Sequence, residues 1–284
     1  MRPLLLCTCA LLLCAAACSQ KARGRRVRVA AASDLGKAFE EVGKEFETRS
    51  GVAPEITFGS SGLLAKQIEQ GAPYFLFAAA NKDFITNVVK AGRCDGATAR
   101  IYGRGRIVVW ARAGVTAPAT LADLTDAARY KKIAIANPEH APYGAAAKQA
   151  LQRSGLWEQV APRVVLGENI QTTMLYARNG NVDVAIVALS LAVVADGGTY
   201  LAIEQSLHDP LDQQLVVCGS GPEADAARDL AAFIASREGR EIMTRYGFVI
   251  DPADGGASAP ASTAGPPPAP HGDRDGTGPR TRTP

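Results

Sequence analysis

Histidine, cysteine and excess charge of either sign are scarce in this sequence of 284 residues. The three histidines, His140, His208 and His271, lie far apart, and no group of Cys, His and carboxylate residues has the spacing of metal ligands. The formal net charge is only +3, which is too small to indicate a nucleic-acid partner. Composition therefore argues against a protein-bound metal ion and against nucleic-acid binding.

Most of the six cysteines lie in the first 18 residues, which leaves Cys94 and Cys218 for the rest of the chain. Two cysteines cannot build a disulfide framework. A single bridge between them is possible in an oxidising compartment, but two buried thiols are the commoner arrangement, and we expect two thiols here.

Large apolar side chains are missing from the end of the chain: no Leu, Ile, Val, Phe, Tyr or Trp follows Ile250. Residues 251–284 consist mainly of Pro, Gly, Ala, Ser and Thr, and such a segment cannot bury a core. We expect a disordered tail there, with no motif of its own. Residues 27–250 are enough for one large domain or for two lobes of about 100 residues each.

One long apolar run is present, from Leu4 to Ala17. It follows Arg2 and is shorter than the roughly 20 apolar residues that span a bilayer. It predicts a cleaved secretory signal over residues 1–17 rather than a membrane helix. The mature protein is therefore expected in the periplasm or on an extracytoplasmic membrane surface.

The end of this run fits two kinds of cleavage. Ala15, Ala16 and Ala17 before Cys18 fit a lipoprotein signal, in which Cys18 becomes the acylated first residue, although leucine is more usual at position 15. Ordinary signal-peptidase cleavage before Cys18 fits the same residues. Residues 18–26 form a basic spacer, which would face anionic head groups if acyl chains hold the protein on a membrane.

Short apolar runs alternate with segments of helical period throughout the rest of the chain. Val27 to Ala31 predicts a strand, and Leu35, Phe39, Val42 and Phe46 then recur on one face of a helix. Further strands are expected at 56–58, 107–111, 133–136, 164–166, 182–187 and 215–218, and further helices near Leu64, across 145–154, near Met174 and across 226–236. This alternation predicts an α/β fold.

Four junctions between a predicted strand and a predicted helix carry small, hydroxyl or amide-rich residues: Ser33, Ser61, Tyr143-Gly144 and Asn169-Ile170. A helix start leaves about four N–H groups without partners and carries roughly half a positive charge, so several converging starts can bind an anion. Lysine and arginine are absent from all four junctions, so no cation would be needed. The alternative at each single junction is that serine is an ordinary helix cap.

Several longer segments occur in a characteristic order. They read VAAASDL (29–35), FGSSG (58–62), KQIEQGAP (66–73), NPEHAPYG (137–144), GLW (155–157), EN (168–169) and RYGF (245–248). In this order the chain resembles the periplasmic molybdate-binding proteins of ABC importers, from about Val27 to Ile250.

The resemblance implies a two-lobed, type 2 periplasmic-binding-protein fold of the α/β class. Lobe 1 would comprise residues 27–107 and 216–250, and lobe 2 residues 108–215. A molybdate or tungstate oxyanion would lie in the cleft, with no direct bond from protein to molybdenum and no cofactor. The protein would be a monomer that delivers the oxyanion to an ABC permease and its ATPase.

The resemblance also assigns ligand residues. Ser33 and Ser61 would give hydroxyl and amide donors from the first lobe, and Tyr143 and Ile170 would give backbone amides from the second. The backbone of Asp34 and Gly144 are further candidates. The carboxylate of Asp34 is expected to turn outward, because it would repel a dianion.

One departure from the family pattern concerns a tyrosine. Many members have a tyrosine, whose hydroxyl reaches the anion, where this chain has Ala188, and they have alanine where this chain has Tyr143. We hypothesise that the Tyr143 hydroxyl restores the missing contact. The alternative is that Tyr143 only packs at the boundary between the lobes.

Two other functions compete with this interpretation. The site could take another oxyanion, such as sulfate or thiosulfate. A serine hydrolase is the rival from another class, but the nucleophile elbow requires Gly-x-Ser-x-Gly, and the chain has Gly59-Ser60-Ser61-Gly62-Leu63. His140 is expected to be a solvated loop residue rather than a base. The sequence therefore favours binding over catalysis.

Overall fold

A computed structural model describes residues 25–251. The predicted signal, Cys18, most of the basic spacer and the tail from residue 252 lie outside the described residues. Two residues assigned to the spacer, Arg25 and Arg26, begin the first strand instead, and Asp251, assigned to the tail, lies 3.7 Å from the guanidinium of Arg104. Among the described residues, no helix is long and apolar enough to cross a membrane.

The described part of the chain alternates strands and helices. The strands are β1 (Arg25–Ala32), β2 (Val52–Gly59), β3 (Leu76–Ala79), β4 (Cys94–Gly105), β5 (Ile107–Arg112), β6 (Ile133–Ala136), β7 (Val164–Gly167), β8 (Val184–Ala188), β9 (Gly198–Ala202) and β10 (Leu211–Cys218). The helices are α1 (Gly36–Ser50), α2 (Ser61–Glu69), α3 (Lys82–Lys90), α4 (Pro142–Arg153), α5 (Trp157–Val160), α6 (Ile170–Arg178), α7 (Leu189–Ala192), α8 (Pro222–Ala235) and α9 (Arg237–Arg245). A short 3₁₀ turn, Ser33–Leu35, connects β1 to α1.

The strands form two five-stranded sheets with the same plan, and each sheet is the centre of one lobe. The first has the order β2-β1-β3-β10-β4, and the second has the order β7-β6-β8-β5-β9. In each sheet three strands are parallel, and two further strands follow, each of which pairs antiparallel with the strand before it in the sheet. This confirms the predicted α/β class and the two-lobed periplasmic-binding fold.

The chain crosses between the sheets twice, at Arg106 and through residues 203–210. The second crossing differs from the expected boundary at residues 215 and 216. Strand β10 belongs wholly to the first sheet, so Leu211 to Leu215 lie in lobe 1 rather than lobe 2. The apolar run Leu215 to Cys218 revealed only the more buried end of that strand, because Asp212 and Gln214 interrupt its beginning.

Most predicted elements are present. Strand β6 has the predicted bounds, and the other predicted strands and helices overlap with observed ones. The sequence patterns did not predict β3, α3, β4, α5, α7, β9 and α9. Strands β4 and β9 are largely exposed or half-buried and carry glycines and polar residues, so neither shows an apolar run.

The expectation of two free thiols is wrong, because Cys94 and Cys218 form a disulfide. They face each other at the ends of the antiparallel pair β4 and β10, with 3.8 Å between their Cα atoms. They are 124 residues apart in sequence, and only the strand register brings them together.

The parallel strands position the functional site. All residues of β3, β6 and β8 are buried, because helices cover both faces of these sheets. Strands β1 and β2 end at Ala32 and Gly59, and β6 and β7 end at Ala136 and Gly167. The carboxyl ends of parallel strands are where open α/β sheets bind ligands, and here the ends of the two sheets meet.

Candidate functional site

A small cavity lies between the two lobes at these strand ends. Its lining contains no lysine, arginine or histidine. The lining residues are Ala32, Ser33, Asp34, Gly59, Ser60, Ser61 and Ala80 from the first lobe, and Ala141, Pro142, Tyr143 and Ile170 from the second. The structure thus brings together Ser33, Ser61, Tyr143 and Ile170, which the sequence placed at four separate junctions.

Ser61 begins α2 and is buried. Its Oγ accepts a hydrogen bond of 3.0 Å from the backbone N–H of Ala80 and makes no capping bond. A hydroxyl that accepts one bond can still donate its own hydrogen. Ser33 is also buried, and the helix starts near it have no side-chain cap. The interpretation of these serines as ordinary caps therefore does not match their contacts.

The second lobe contributes the starts of two helices. Tyr143 and Ile170 lie in the first turns of α4 and α6, where backbone N–H groups have no partner four residues earlier. Pro142 occupies the first helical position of α4, where its missing N–H costs no hydrogen bond. The side chain of Asn169 caps α6 by accepting from the N–H of Thr172 at 3.0 Å. Two backbone donors with positive helix ends therefore lie at the cavity.

Gly144 is not a cavity residue, which corrects its place among the ligand candidates. Its N–H donates to the carbonyl of Ala141 at 2.9 Å. A Cβ at this position would overlap the carbonyl oxygen of Ala136. The glycine is therefore needed for the close packing of α4 against the end of β6.

The side chain of Asp34 is buried and does not turn outward, contrary to expectation. Its Oδ2 accepts hydrogen bonds from the hydroxyl of Tyr143 at 2.9 Å and from Nε2 of Gln213 at 2.6 Å. Gln213 Nε2 also donates to the Tyr143 oxygen at 2.8 Å, and its Oε1 accepts from the hydroxyl of Tyr102 at 2.8 Å. The Tyr143 hydroxyl hydrogen is thus directed to a carboxylate, and Gly105 provides the necessary room, because a Cβ there would overlap it.

The two carboxylate oxygens of Asp34 differ in their hydrogen bonding. Oδ1 of Asp34 is buried and has no hydrogen-bond partner among the described residues. Burial raises the pKa of the Asp34 carboxyl to about 6, against the smaller opposing effects of the hydrogen bonds from Gln213 and Tyr143 and of the backbone N–H of Asp34 itself. Burial and the charge of Asp34 also raise the pKa of Tyr143 well above its usual value. The site therefore holds a carboxyl group that is a weaker acid than an exposed aspartic acid.

Ser60 and His140 form a contact between the lobes. The Oγ of Ser60 lies 2.9 Å from Nδ1 of His140 and donates to the His140 carbonyl. His140 is thus not the solvated loop residue that the sequence suggested. No carboxylate among the described residues bonds its ring, so the third member of a hydrolase triad is not present in this part of the chain. The pair is a hydrogen-bonded contact that joins the two lobes.

Other contacts join the lobes around the cavity. The N–H of Gly62 donates to the carbonyl of His140 at 2.9 Å, and the hydroxyl of Ser190 donates to the carbonyl of Asp34 at 2.9 Å. Ser190 lies two residues after Ala188. Ala188 is the position where many family members have a tyrosine. Together with the Tyr143 to Asp34 bond, these contacts hold the two lobes in a closed arrangement.

Sequence reasoning missed Gln213, Tyr102 and Ser190. Gln213 had a detectable signal, because it alternates with Leu211 and Leu215 on the inward face of β10 and is a polar residue at a core position. Tyr102 and Ser190 had no such signal in the sequence. No group of three or more His, Cys, Asp and Glu residues within residues 25–251 is placed to hold a metal ion.

The fold and the cavity together define a class of protein. Two α/β lobes, joined by two crossings, enclose a cavity between them. Helix starts and hydroxyl groups line this cavity, and its lining has no lysine, arginine or histidine. This is the architecture of a periplasmic binding protein. The chain belongs to the family of bacterial extracellular solute-binding proteins, whose family model matches residues 27–249.

Similar proteins agree with this assignment. The molybdate-binding protein ModA of Rhodobacter capsulatus is 31% identical over 227 residues, which cover 79% of this chain and 88% of that protein. The solved structure of the periplasmic molybdate-binding protein of Azotobacter vinelandii has a TM-score of 0.74 and 25% identity, covering 79% of this chain and 99% of that one. The sulfate-binding protein SubI of Mycobacterium tuberculosis is more distant, with a TM-score of 0.69 and 17% identity over 81% of this chain and 89% of that one, and it shows the fold alone.

Proposed function

We propose that this protein captures a molybdate or tungstate dianion in the cavity between its lobes and delivers it to an ABC permease and its ATPase. The observation that carries the proposal is the convergence of Ser33, Ser61, Tyr143 and Ile170 on one cavity without a lysine, arginine or histidine. The names of the similar proteins from R. capsulatus and A. vinelandii support molybdate as the ligand.

The donors match the chemistry of an oxyanion whose oxygens only accept hydrogen bonds. The hydroxyls of Ser33 and Ser61 and the backbone N–H groups of Tyr143 and Ile170 would each donate to one ligand oxygen. Hydrogen bonds to a charged group contribute about 1.5–3 kcal/mol each. The partial positive charges of the helix starts add to this stabilisation without a mobile ammonium group. The molybdenum atom itself would be surrounded by its own oxygens and would bond to no protein atom.

Closure of the lobes would complete the site, because each lobe carries only half of the donors. We place the hinge at Arg106 and in residues 203–210, the two crossings, and not near Leu215 to Val217, which lie inside the first sheet. The contacts of His140 with Ser60 and Gly62 would then form only on closure.

Titration calorimetry of the chain without its signal tests the function. Molybdate and tungstate should bind at one site, and sulfate and phosphate should bind much more weakly. Equal affinity for sulfate and molybdate would assign the site to oxyanions in general and remove the proposed selectivity. Turnover of an ester substrate would contradict capture without chemical change and would support the Ser60 and His140 pair as catalytic groups.

Anchoring to a membrane is a separate part of the proposal. Lipidation of Cys18, with cleavage of the signal before it, would place the domain on an extracytoplasmic membrane surface, near the permease. Replacement Cys18→Ser should move the protein from the membrane fraction to the soluble fraction. A wild-type protein that is already soluble would indicate ordinary cleavage and a protein free in the periplasm.

A further inference from the structure

Asp34 presents a problem for anion capture. It lines the cavity, and a dianion bound there would lie next to a buried carboxylate with no cation in the lining to offset the charge. Buried charges without a partner are strongly unfavourable, and like charges at close range in a low-dielectric site repel strongly. Either the carboxyl group is neutral when the anion binds, or the site is unsuited to a dianion.

The hydrogen bonds of Asp34 show which atom can meet the ligand. Oδ2 already accepts from Tyr143 and Gln213, whereas Oδ1 is buried and unpartnered among the described residues. A protonated carboxyl group has one O–H donor, and its other oxygen remains an acceptor. A proton on Oδ1 would leave both bonds to Oδ2 in place and would add a hydrogen-bond donor to a residue that lines the cavity.

We propose that Asp34 binds the captured oxyanion in its protonated form, with Oδ1 donating a hydrogen bond to a ligand oxygen, so that capture of each dianion takes up one proton. The inference rests on the proposed function and names an additional ligand residue for it. Burial, which raises the pKa of this carboxyl group to about 6, favours the same protonation state.

None of the described groups that contact Asp34 would itself account for a pH dependence of anion binding. Tyr143 from α4 and Gln213 from β10 donate to its carboxylate. Tyr102 from β4 donates to Gln213, and burial, followed by the charge of Asp34, raises the pKa of Tyr102. Ser190 from α7 contacts only the backbone carbonyl of Asp34. Lys37, the nearest base along the chain, pairs with Glu40 on the surface of α1.

His140 is another ionisable side chain near the cavity, and it contacts Ser60, which lines the cavity. Histidine side chains can make anion binding depend on pH. The experiment must therefore separate Asp34 from His140.

The opposite charge state predicts a different ligand. An ionised Asp34 would be an acceptor at the cavity, and it would suit an oxyanion that carries its own proton, such as hydrogen phosphate. A neutral Asp34 is a donor, and it suits fully deprotonated molybdate, tungstate or sulfate. The identity of the preferred anion at pH 8 thus reports the protonation state of Asp34.

The test is calorimetry with molybdate and phosphate between pH 6 and pH 8.5, above the range in which dilute molybdate takes up protons, in buffers of different ionisation enthalpy. For the wild type we expect uptake of about one proton per molybdate at pH 8 and a loss of affinity of about 50-fold between pH 6 and pH 8, given a pKa of about 6. Asp34→Asn keeps the shape and offers an N–H donor, so its affinity should change less than about threefold over this range, with no proton uptake.

Two further variants serve as controls. Asp225→Asn removes an exposed carboxylate of the first turn of α8 and should keep the wild-type pH profile. His140→Asn should keep it too, although its affinity can change. The inference is overturned if proton uptake persists in Asp34→Asn and disappears in His140→Asn, if the wild type takes up no proton, or if phosphate outcompetes molybdate at pH 8. Absence of binding to any of molybdate, tungstate, sulfate and phosphate at every pH would overturn the proposed function itself.

Discussion

The backbone of Gly62 lies directly against the backbone of His140 on the opposite lobe. The N–H of Gly62 donates to the His140 carbonyl oxygen at 2.9 Å, and a Cβ on residue 62 would lie 2.8 Å from the same oxygen. Only glycine allows the first turn of α2 to approach the loop before α4 so closely. This contact limits how far the lobes can close, and it suggests a direct test of closure.

Gly62→Ala should hinder closure, because overpacking of this kind costs about 1–3 kcal/mol. We expect molybdate affinity to fall by about 5-fold to 150-fold, measured by calorimetry, with little change in thermal stability. Gly43→Ala in α1 is the matched control, because its Cβ would lie 3.7 Å from its nearest neighbours. Equal affinities in the two variants would show that closure does not need this contact.

Ser61→Ala removes the hydroxyl that we propose as a donor to the anion, and it should weaken molybdate binding by about 1.5–3 kcal/mol, or about tenfold to 150-fold. It also removes the acceptor for the N–H of Ala80, so thermal stability should fall as well. Ser154→Ala, whose Oγ bonds only the Ala150 carbonyl at the end of α4, is the control for the loss of a serine hydroxyl. Unchanged affinity in Ser61→Ala would restrict this serine to a structural role.

Tyr143→Phe distinguishes a direct contact with the anion from an action through Asp34. The structure directs the Tyr143 hydroxyl to Asp34, and this bond lowers the pKa of the carboxyl group. Its removal should raise the pKa of Asp34 and shift the pH midpoint of molybdate binding upward. A uniform loss of about 1.5–3 kcal/mol at every pH would instead support the hydroxyl as a direct donor in place of the tyrosine missing at Ala188.

Stability should depend on pH through Asp34 in a predictable direction. The folded-state pKa of about 6 exceeds the unfolded value of about 3.9. The folded protein therefore binds this proton more tightly, and the free energy of unfolding falls as pH rises from about 4 to above 6, by at most about 3 kcal/mol. In urea unfolding without ligand, the free energy of unfolding of the wild type should fall between pH 4.5 and pH 8 by more than that of Asp34→Asn. An equal fall in the two proteins would argue against a raised pKa of Asp34.

The disulfide should matter for stability and not for binding. It closes a loop of 124 residues, and loss of such a bridge typically costs about 2–5 kcal/mol. Cys94→Ala with Cys218→Ala should lower the free energy of unfolding by this amount, while molybdate affinity changes less than about twofold, because neither cysteine lines the cavity. A large loss of affinity would reveal coupling between the β4 and β10 ends and the site.

The sequence by itself determined the α/β class, most strands and helices, and the four junctions whose residues line the cavity. These features are local: an apolar run, a helical period, or a serine or glycine where a strand becomes a helix. The family resemblance, which is also a property of the sequence, then selected Ser33, Ser61, Tyr143 and Ile170 at these junctions.

The tertiary structure decided what depends on packing between distant segments. Cys94 meets Cys218 only through the register of β4 and β10, and β10 itself joins the first sheet rather than the second lobe. The Asp34 carboxylate was expected to turn outward because it would repel a dianion. It is buried instead, because Tyr143, 109 residues away, and Gln213, 179 residues away, both reach its carboxylate. Protonation and hydrogen bonding in a buried site are set by such neighbours, and no local pattern encodes them.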